Sequence, residues 1–448
     1  MCDCDGQAAF RPWAGPYDAA AMSSARPAEA APDPQAPPSP GAWQLALADR
    51  RIALMLALGF ASGLPLALTS GTLQAWMTVE DVSLTTIGFA TLIGQAYVFK
   101  FLWAPALDRY TPPLLGRRRG WLLLTQLLLV AGLATMGALS PGQGLLWLAL
   151  AAVAVAFFSA SQDVVFDAYR ADVLAPAQRG AGAAVSVLGY RLGMIVSGGL
   201  ALWLAEKATG WGGMYVLMAL LMGVGIVATA LAPEPQRPPT APRTMREAVI
   251  EPMHEFFARR GAWALLALIV CYKLGDAFAG ALSTTFLIRG AGFPAYEVGL
   301  VNKTFGLAAT IVGALAGGVA MAKLGLYRSL LWFGIGQALT NLGYWLIAVS
   351  PQSLALMAAA VGLENLIGGM GTAAFVALLM SLVDARFSAT QYALLSALAS
   401  VGRVYVGPAT GYLVEAVGWP TFFLLTVVFA VPGLALLVAL RARIEARG

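Results

Sequence analysis

Apolar runs of about 20 residues recur from residue 51 to residue 440. A helix rises about 1.5 Å per residue, so each run is long enough to cross a hydrocarbon core of roughly 30 Å. The pattern therefore predicts an all-α membrane protein with twelve transmembrane helices. The predicted spans are residues 51–78, 84–107, 120–139, 145–169, 182–206, 212–232, 262–289, 296–321, 329–349, 353–382, 390–414 and 420–440.

Polar and proline-rich stretches divide these spans into two groups of six. Residues 1–48 are rich in Ala and Pro and predict a disordered tail. Six-helix bundles are expected at residues 50–232 and 262–440. The linker between them, residues 233–261, combines prolines with a short amphipathic surface helix, and residues 441–448 form a second tail.

The basic residues outside the spans lie almost entirely on one side of this map. If both termini are cytoplasmic, 21 of the 28 Lys and Arg residues lie in cytoplasmic segments, whereas only Lys207 and Arg289 lie opposite. Cytoplasmic loops are enriched in Lys and Arg, so both termini are predicted to be cytoplasmic. The net charge of +5 thus reports orientation rather than a nucleic-acid partner.

The composition excludes several classes of protein. Charged residues make up 11% of the chain, against about 25% in soluble domains. Cys2, Cys4 and Cys271 do not form a disulfide or metal framework, and no cofactor is predicted. The single histidine, His254, lies in the linker without a nucleophile–base arrangement, so we expect no enzyme. The expected surroundings are the lipid bilayer, and the expected state is a monomer.

The two groups of spans share residues at a fixed offset of 211. The matching pairs are Trp121 and Trp332, Gln126 and Gln337, and Gly88 and Gly299. Two parallel six-span repeats joined by a long middle loop resemble the major facilitator superfamily. The loop after the second span, with Asp108-Arg109 and then Gly116-Arg117, resembles the signature loop of that superfamily, with residues 111–115 inserted. These four residues are predicted to act in a conformational switch, with Asp108 pairing a basic group or capping a helix.

Nine charged residues lie inside the predicted spans and more than one residue from either end. They are Lys100, Arg191, Lys273, Lys303 and Arg403, against Asp163, Asp167, Asp276 and Glu364. A charge at the centre of a membrane helix carries a penalty of about 2.5–3.5 kcal/mol, so such groups normally face a partner or a water-filled cavity. The excess of cations favours an anionic substrate.

The carboxylates are the predicted proton carriers. Asp163 and Asp167 share one helix face, where mutual repulsion favours a proton on one of them; Asp167 alternatively pairs with Arg170. Asp276 is either part of a closed pair with Lys273, three residues earlier, or a coupling residue. Glu364 is a second coupling residue or the partner of Arg403.

The remaining intramembrane cations and polar side chains are the predicted substrate contacts. Lys100 and Lys303 either meet substrate or snorkel to the headgroups. Polar and aromatic residues of the spans suit a partly cyclic ligand, although each alternatively serves as interhelical contact or interfacial belt. These residues are Gln95, Tyr97, Gln126, Gln162, Tyr190, Tyr272, Asn365 and Tyr405.

Several longer segments resemble the AmpG family of bacterial muropeptide permeases. They are residues 58–77, 94–103, 159–163, 187–194, 272–278 and 401–408. The resemblance implies import of N-acetylglucosaminyl-1,6-anhydro-N-acetylmuramyl peptides through the inner membrane, driven by protons, for peptidoglycan recycling and β-lactamase induction. Arg191, Lys273 and Arg403 are then the expected partners of the substrate carboxylates. The rival hypotheses are a carrier of another organic anion, such as acetyl-CoA, and a sensor that binds without translocating.

Overall fold

A computed structural model describes residues 50–174, 179–235, 257, 261–382 and 388–445. The predicted N-terminal tail and most of the predicted linker lie outside these residues. Within them nearly all residues are helical, and no strand occurs. The helices of the first half are α1 (Arg50–Leu68), α2 (Gly71–Val79), α3 (Leu84–Ala90), α4 (Gln95–Phe99), α5 (Ala104–Arg109), α6 (Arg117–Ala138), α7 (Pro141–Val173), α8 (Arg179–Ile195), α9 (Ala201–Lys207), α10 (Gly210–Leu221) and α11 (Gly223–Leu231).

The second half repeats this arrangement of long helices broken by short irregular turns. Its helices are α12 (Ala262–Tyr272), α13 (Leu274–Ala281), α14 (Ser283–Thr285), α15 (Ala295–Val298), α16 (Gly306–Leu324), α17 (Leu326–Val349), α18 (Leu354–Ser381), α19 (Ser388–Ala439) and α20 (Arg441–Glu445). Stretches of π-helix occupy Val196–Leu200, Phe286–Gly290 and Gly299–Phe305.

Nine helical segments of the described chain are long and apolar enough to cross a membrane. The second predicted span differs because 3₁₀ turns divide it into α3, α4 and α5. The ninth, α17, is long enough but carries several polar residues. The last two predicted spans follow each other in α19 and are separated there by the non-helical backbone of Gly418. The count of twelve and the sides of the termini therefore stay predictions.

Glycines at matching positions support the internal repeat. Gly116 precedes α6 with φ 79°, and Gly325 precedes α17 with φ 77°. Gly210 at the start of α10 has φ 68°, and Gly418 at the kink of α19 has φ 73°. Left-handed backbone favours glycine, so both halves use the same residue type to begin the same spans.

Small residues bring the helices of each half close together. Gly59 and Gly63 of α1 face the backbone of α8, while Gly189 and Gly193 of α8 face α1. A side chain at any of these positions would overlap the backbone of the other helix. Such spacing of small residues is typical of membrane helices, which associate by close packing rather than by a hydrophobic driving force.

The two halves meet along two seams. Helix α3 packs against α19, and the π-helical stretch Val196–Leu200 packs against Gly299–Phe305. Both seams bring a span of one half against a span of the other. The polar residues described next lie on helices that border these seams.

Candidate functional site

A polar cluster in the first half surrounds Asp163 of α7. Ser62 of α1 donates a hydrogen bond from Oγ to Asp163 Oδ1. Lys100 lies close enough to interact electrostatically with Asp163, although it forms no ion pair within the described chain. Tyr190 of α8 lies near both Asp163 and Tyr97. The first-half cluster comprises Ser62, Tyr97, Lys100, Ser159, Gln162, Asp163 and Tyr190.

Three buried polar atoms of this cluster have no hydrogen-bond partner among the described residues. They are Tyr97 Oη, Ser159 Oγ and Gln162 Oε1. Tyr97 approaches Ser159 without forming a hydrogen bond of good geometry. Buried polar atoms in folded proteins almost always have partners, so these groups require water or a polar ligand. The first-half cluster is therefore able to bind a polar solute beside a carboxylate and an ammonium group.

A second polar cluster lies in the other half, and its carboxylates have partners. Lys273 Nζ is 3.2 Å from Asp276 Oδ2, and Gln337 donates from Nε2 to the same oxygen. The lysine and the aspartate therefore form the closed pair that the sequence offered as one alternative.

Glu364 of α18 belongs to the same cluster. Its Oε2 accepts a hydrogen bond of 2.8 Å from Asn365 Nδ2, and Thr310 donates to Asn365 Oδ1 at 3.0 Å. Glu364 also interacts electrostatically with Lys273 and Lys303. The second-half cluster comprises Lys273, Asp276, Thr310, Gln337, Glu364 and Asn365, and it contains one ion pair and one further carboxylate held by an amide.

Two of the predicted pairings have clear outcomes. Asp167 Oδ1 lies 3.0 Å from Arg170 Nη2, and this aspartate side chain is 57% exposed. The pairing of Glu364 with Arg403 is wrong for this conformation, because no ion pair joins them within the described chain. Glu364 instead accepts a hydrogen bond from the side-chain amide of Asn365, the next residue of the same helix.

Lys303 lies between the two halves. A methyl group added at Gly71 of α2 would come within 2.7 Å of Lys303 Nζ, and one at Gly198 would come within 3.2 Å of its Cβ. Lys303 forms no ion pair with a described residue. Snorkelling to the headgroups is therefore wrong for this lysine, because glycines of the opposite half receive its side chain.

Two arginines also lack an ion pair within the described chain. Among the described residues, the polar contact of Arg191 is with Met194 Sδ, at 3.8 Å from Nη1. Arg403 precedes Val404, whose carbonyl oxygen accepts a hydrogen bond of 2.9 Å from Thr91 Oγ1 of the first half. Arg403 thus lies at the seam between the halves. Unpaired guanidinium groups of this kind are suited to bind carboxylates.

Four predicted contact residues lie elsewhere. Gln95 lines an apolar cavity of about 550 Å³ bordered by α2, α3 and α7, away from the first-half cluster. Gln126 accepts a hydrogen bond from Thr229 within the first half. Tyr272 donates to a backbone oxygen of α17 within the second half, and Tyr405 is 41% exposed. We therefore keep these four outside the proposed binding residues.

The loop after the second span forms an ion-pair network. Asp108 Oδ1 lies 2.6 Å from Arg118 Nη1, and Arg118 Nε lies 2.8 Å from Asp172 Oδ2. Arg117 donates to the backbone oxygen of Asp108, while Arg109 is exposed. The predicted pairing of Asp108 with a basic group is thus present, and the switch role stays a prediction. The sequence did not single out Arg118 or Asp172.

A carboxylate beyond the sixth span joins the same loop. Glu234 accepts hydrogen bonds from the backbone N–H groups of Arg118 and Arg119, at 3.0 and 3.1 Å. A side chain at Gly116 would approach Glu234 to 2.9 Å, so glycine leaves room for this cap. Nothing in the sequence indicated Glu234, because its partners are backbone atoms 115 residues away.

Comparison with known proteins places this arrangement in a family. The Major Facilitator Superfamily profile matches residues 52–404. The anhydromuropeptide permease of Escherichia coli K12 is 64% identical over 395 residues, which cover 88% of this chain and 80% of the relative. The chain belongs to the AmpG family of this superfamily. The predicted fold class and the prediction of a carrier rather than an enzyme are thereby confirmed.

Solved structures of other transporters share the fold of this chain. A POT family transporter in complex with 5-aminolevulinic acid gives a TM-score of 0.70 at 13% identity, covering 88% of this chain and 96% of that one. A bacterial homolog of the human lysosomal transporter Spinster, in an inward-facing and unoccupied conformation, gives 0.68 at 17%, covering 92% and 99%. These structures show the fold, and the family profile together with the permease relative makes the chain a multi-pass transporter of the bacterial inner membrane.

Proposed function

We propose that this protein imports N-acetylglucosaminyl-1,6-anhydro-N-acetylmuramyl peptides from the periplasm to the cytoplasm. The observation that carries the proposal is the 64% identity to the anhydromuropeptide permease across 88% of the chain. The cargo bears several carboxylates and two sugar rings. Such a solute fits unpaired guanidinium groups and the aromatic and amide side chains of the first-half cluster.

The charges of the spans that lack an ion pair support an anionic cargo. Of the nine charged residues predicted inside the spans, two form the Lys273–Asp276 pair and Asp167 pairs with Arg170. The cations without an ion pair in the described chain are Lys100, Arg191, Lys303 and Arg403. The carboxylates left without one are Asp163 and Glu364. Among the charges of the spans that have no ion pair in the described chain, four are therefore positive and two negative.

Proton symport is part of the proposal, with Asp163 as the main proton carrier. Its neighbours are a hydroxyl, an ammonium group and polar atoms that lack partners, so its environment changes when a substrate binds. Asp276 and Glu364 have fixed partners and are secondary candidates. In a bacterium with an inducible β-lactamase, the imported fragments would feed induction.

Uptake into proteoliposomes tests the function. We expect labelled anhydromuropeptide to accumulate when the outside is acidic, and a protonophore to abolish the accumulation. Absence of muropeptide uptake together with uptake of acetyl-CoA would contradict the proposal in favour of another anion carrier. Saturable binding without accumulation would favour a sensor.

A further inference from the structure

Two glutamates make matching hydrogen bonds from one half to the other. Glu415 of α19 accepts from the backbone N–H of Thr85 at 3.0 Å and from its hydroxyl at 2.6 Å. Glu206 of α9 accepts from the backbone N–H of Tyr296 at 3.0 Å. In each case the donor is the second residue of a helix, α3 or α15, in the opposite half.

The two contacts are one contact repeated by the internal symmetry. Thr85 and Tyr296 are separated by 211 residues, the offset that relates Trp121 to Trp332. Glu206 and Glu415 are separated by 209 residues. The carboxylate lies at the end of the fifth predicted span in one contact and directly after the eleventh in the other. Each contact therefore closes one of the two seams.

Further polar contacts join the halves at the same end of the molecule. Arg289 donates to the backbone oxygens of Thr78 and Val82, each at 2.8 Å. The ammonium group of Lys207 lies 4.5 Å from the ring centre of Tyr296. This end carries the two residues, Lys207 and Arg289, that the charge distribution assigns to the periplasmic side.

The ion pairs near the other end stay within one half. Arg118 pairs with Asp108 and Asp172 inside the first half, and Arg441 pairs with Glu445 inside the second. The described polar contacts between the halves are thus concentrated at the predicted periplasmic end. Entry of a solute from that side requires these contacts to break.

We propose that Glu206 and Glu415 form a paired latch that holds the periplasmic entrance closed. Each carboxylate accepts a hydrogen bond from a backbone N–H group at the start of a helix in the opposite half. A negative charge at a helix N-terminus is stabilising. Opening to the periplasm breaks both contacts together, because the symmetry places one on each seam. The latch acts on the conformational equilibrium and does not depend on the nature of the cargo.

A buried residue behind the latch reports its opening. Thr284 is 1% exposed and lies beside Gly71 and the Lys303 side chain. The reporter is Thr284→Cys in the full-length protein with Cys2, Cys4 and Cys271 replaced by Ser. A membrane-impermeant thiosulfonate is added outside intact cells without substrate, and the rate of labelling is measured. Because no substrate is present, the result is separate from the uptake test of the proposed function.

We expect Glu206→Gln and Glu415→Gln each to raise the labelling rate about fivefold, because the amide oxygen still accepts a hydrogen bond but the negative charge at the helix N-terminus is lost. The double variant is expected to label about 25-fold faster, since the two sites share no contact residue. Glu297→Gln is the matched control, because Glu297 bonds the hydroxyl of the same Tyr296 inside the second half. Its labelling rate is expected to change less than twofold.

Two results would overturn the latch. One is an unchanged labelling rate in the double variant when the reporter protein reaches the membrane in normal amount. The other is a full effect from one glutamate with none from its symmetry mate. If the double Gln variant is not recovered, Glu206→Asp and Glu415→Asp replace it, and the shorter carboxylates are expected to raise labelling in the same direction.

Discussion

The polar clusters of the two halves differ in how their charges are satisfied. In the second half Asp276 has both Lys273 and Gln337 as partners. In the first half Asp163 has only a hydroxyl in direct contact, and three buried polar atoms nearby lack partners in the described chain. Buried polar atoms without a partner among the described residues occur in both halves, for example at Asn302 and Asn341 of the second. The difference between the halves therefore lies in the partners of the two aspartates.

This difference suggests a division of labour. An aspartate held by an ammonium group and an amide, such as Asp276, gains little from a ligand. An aspartate with one hydroxyl partner beside unsatisfied polar atoms, such as Asp163, gains more when a ligand or proton arrives. The account therefore places proton and cargo chemistry mainly in the first half. The following experiments test that division, beginning with the largest expected effect.

Asp163→Asn should abolish proton-driven accumulation. The substitution keeps the shape of the side chain but removes its ability to release a proton, and we expect the initial rate to fall about 100-fold or more. Asp167→Asn is the matched control, one helical turn away, where the carboxylate is exposed and paired with Arg170. It should retain more than half of the uptake. Equal losses in both variants would remove the special role of Asp163.

Removal of the unpaired guanidinium groups should weaken cargo binding. We expect Arg191→Met and Arg403→Met each to raise KM about tenfold with a smaller effect on kcat, as for loss of one charge-assisted contact. Arg191→Lys should recover part of the affinity. Muropeptides whose stem carboxylates are amidated provide the second measurement. When the amidated carboxylate is the one that Arg191 or Arg403 binds, the corresponding variant should no longer change KM.

The paired charges of the second half should behave as a unit. Lys273→Met or Asp276→Asn alone leaves a charge without its partner, so each should lower the melting temperature of the purified protein. The double variant should recover at least half of that loss, because removing both partners of a pair costs less than removing one. Additive losses in the double variant would show that the two charges act separately.

The glycines that receive Lys303 should tolerate little added volume. Gly71→Ala places a methyl group 2.7 Å from Lys303 Nζ, so the lysine must move and uptake should fall about two- to fivefold. Gly280→Ala is the control, because no described atom lies within 4 Å of the added group. Restoration of uptake by Lys303→Met in the Gly71→Ala background would identify the lysine as the cause.

Much of the fold could be predicted from the sequence because a membrane span depends on the apolar composition of one short stretch of chain. The apolar runs, the repeat offset and the loop around Asp108 all correspond to elements of the structure. The breaks inside the second predicted span were not foreseen, because 3₁₀ turns at Thr91–Gly94 and Lys100–Leu102 change no apolar pattern. The boundary predicted between the last two spans, by contrast, coincides with the kink at Gly418.

The site was less predictable because its contacts join residues far apart in the chain. The sequence identified Asp163 and Tyr97 as polar residues of the spans, but it could not show that Ser62, 101 residues away, donates to Asp163. It offered Arg403 as one possible partner of Glu364, although the carboxylate accepts a hydrogen bond from its own neighbour Asn365. Spacing along a helix predicts local pairs such as Lys273–Asp276 and leaves interhelical pairs undetermined.

Substrate-evoked proton entry tests the division between the halves most directly. Proteoliposomes containing a pH-sensitive dye are given anhydromuropeptide, and acidification of the lumen is followed for Asp163→Asn and for the Lys273→Met, Asp276→Asn double variant. The account predicts that proton entry disappears in the first variant and persists in the second. Proton entry that persists in Asp163→Asn and disappears in the double variant would contradict it.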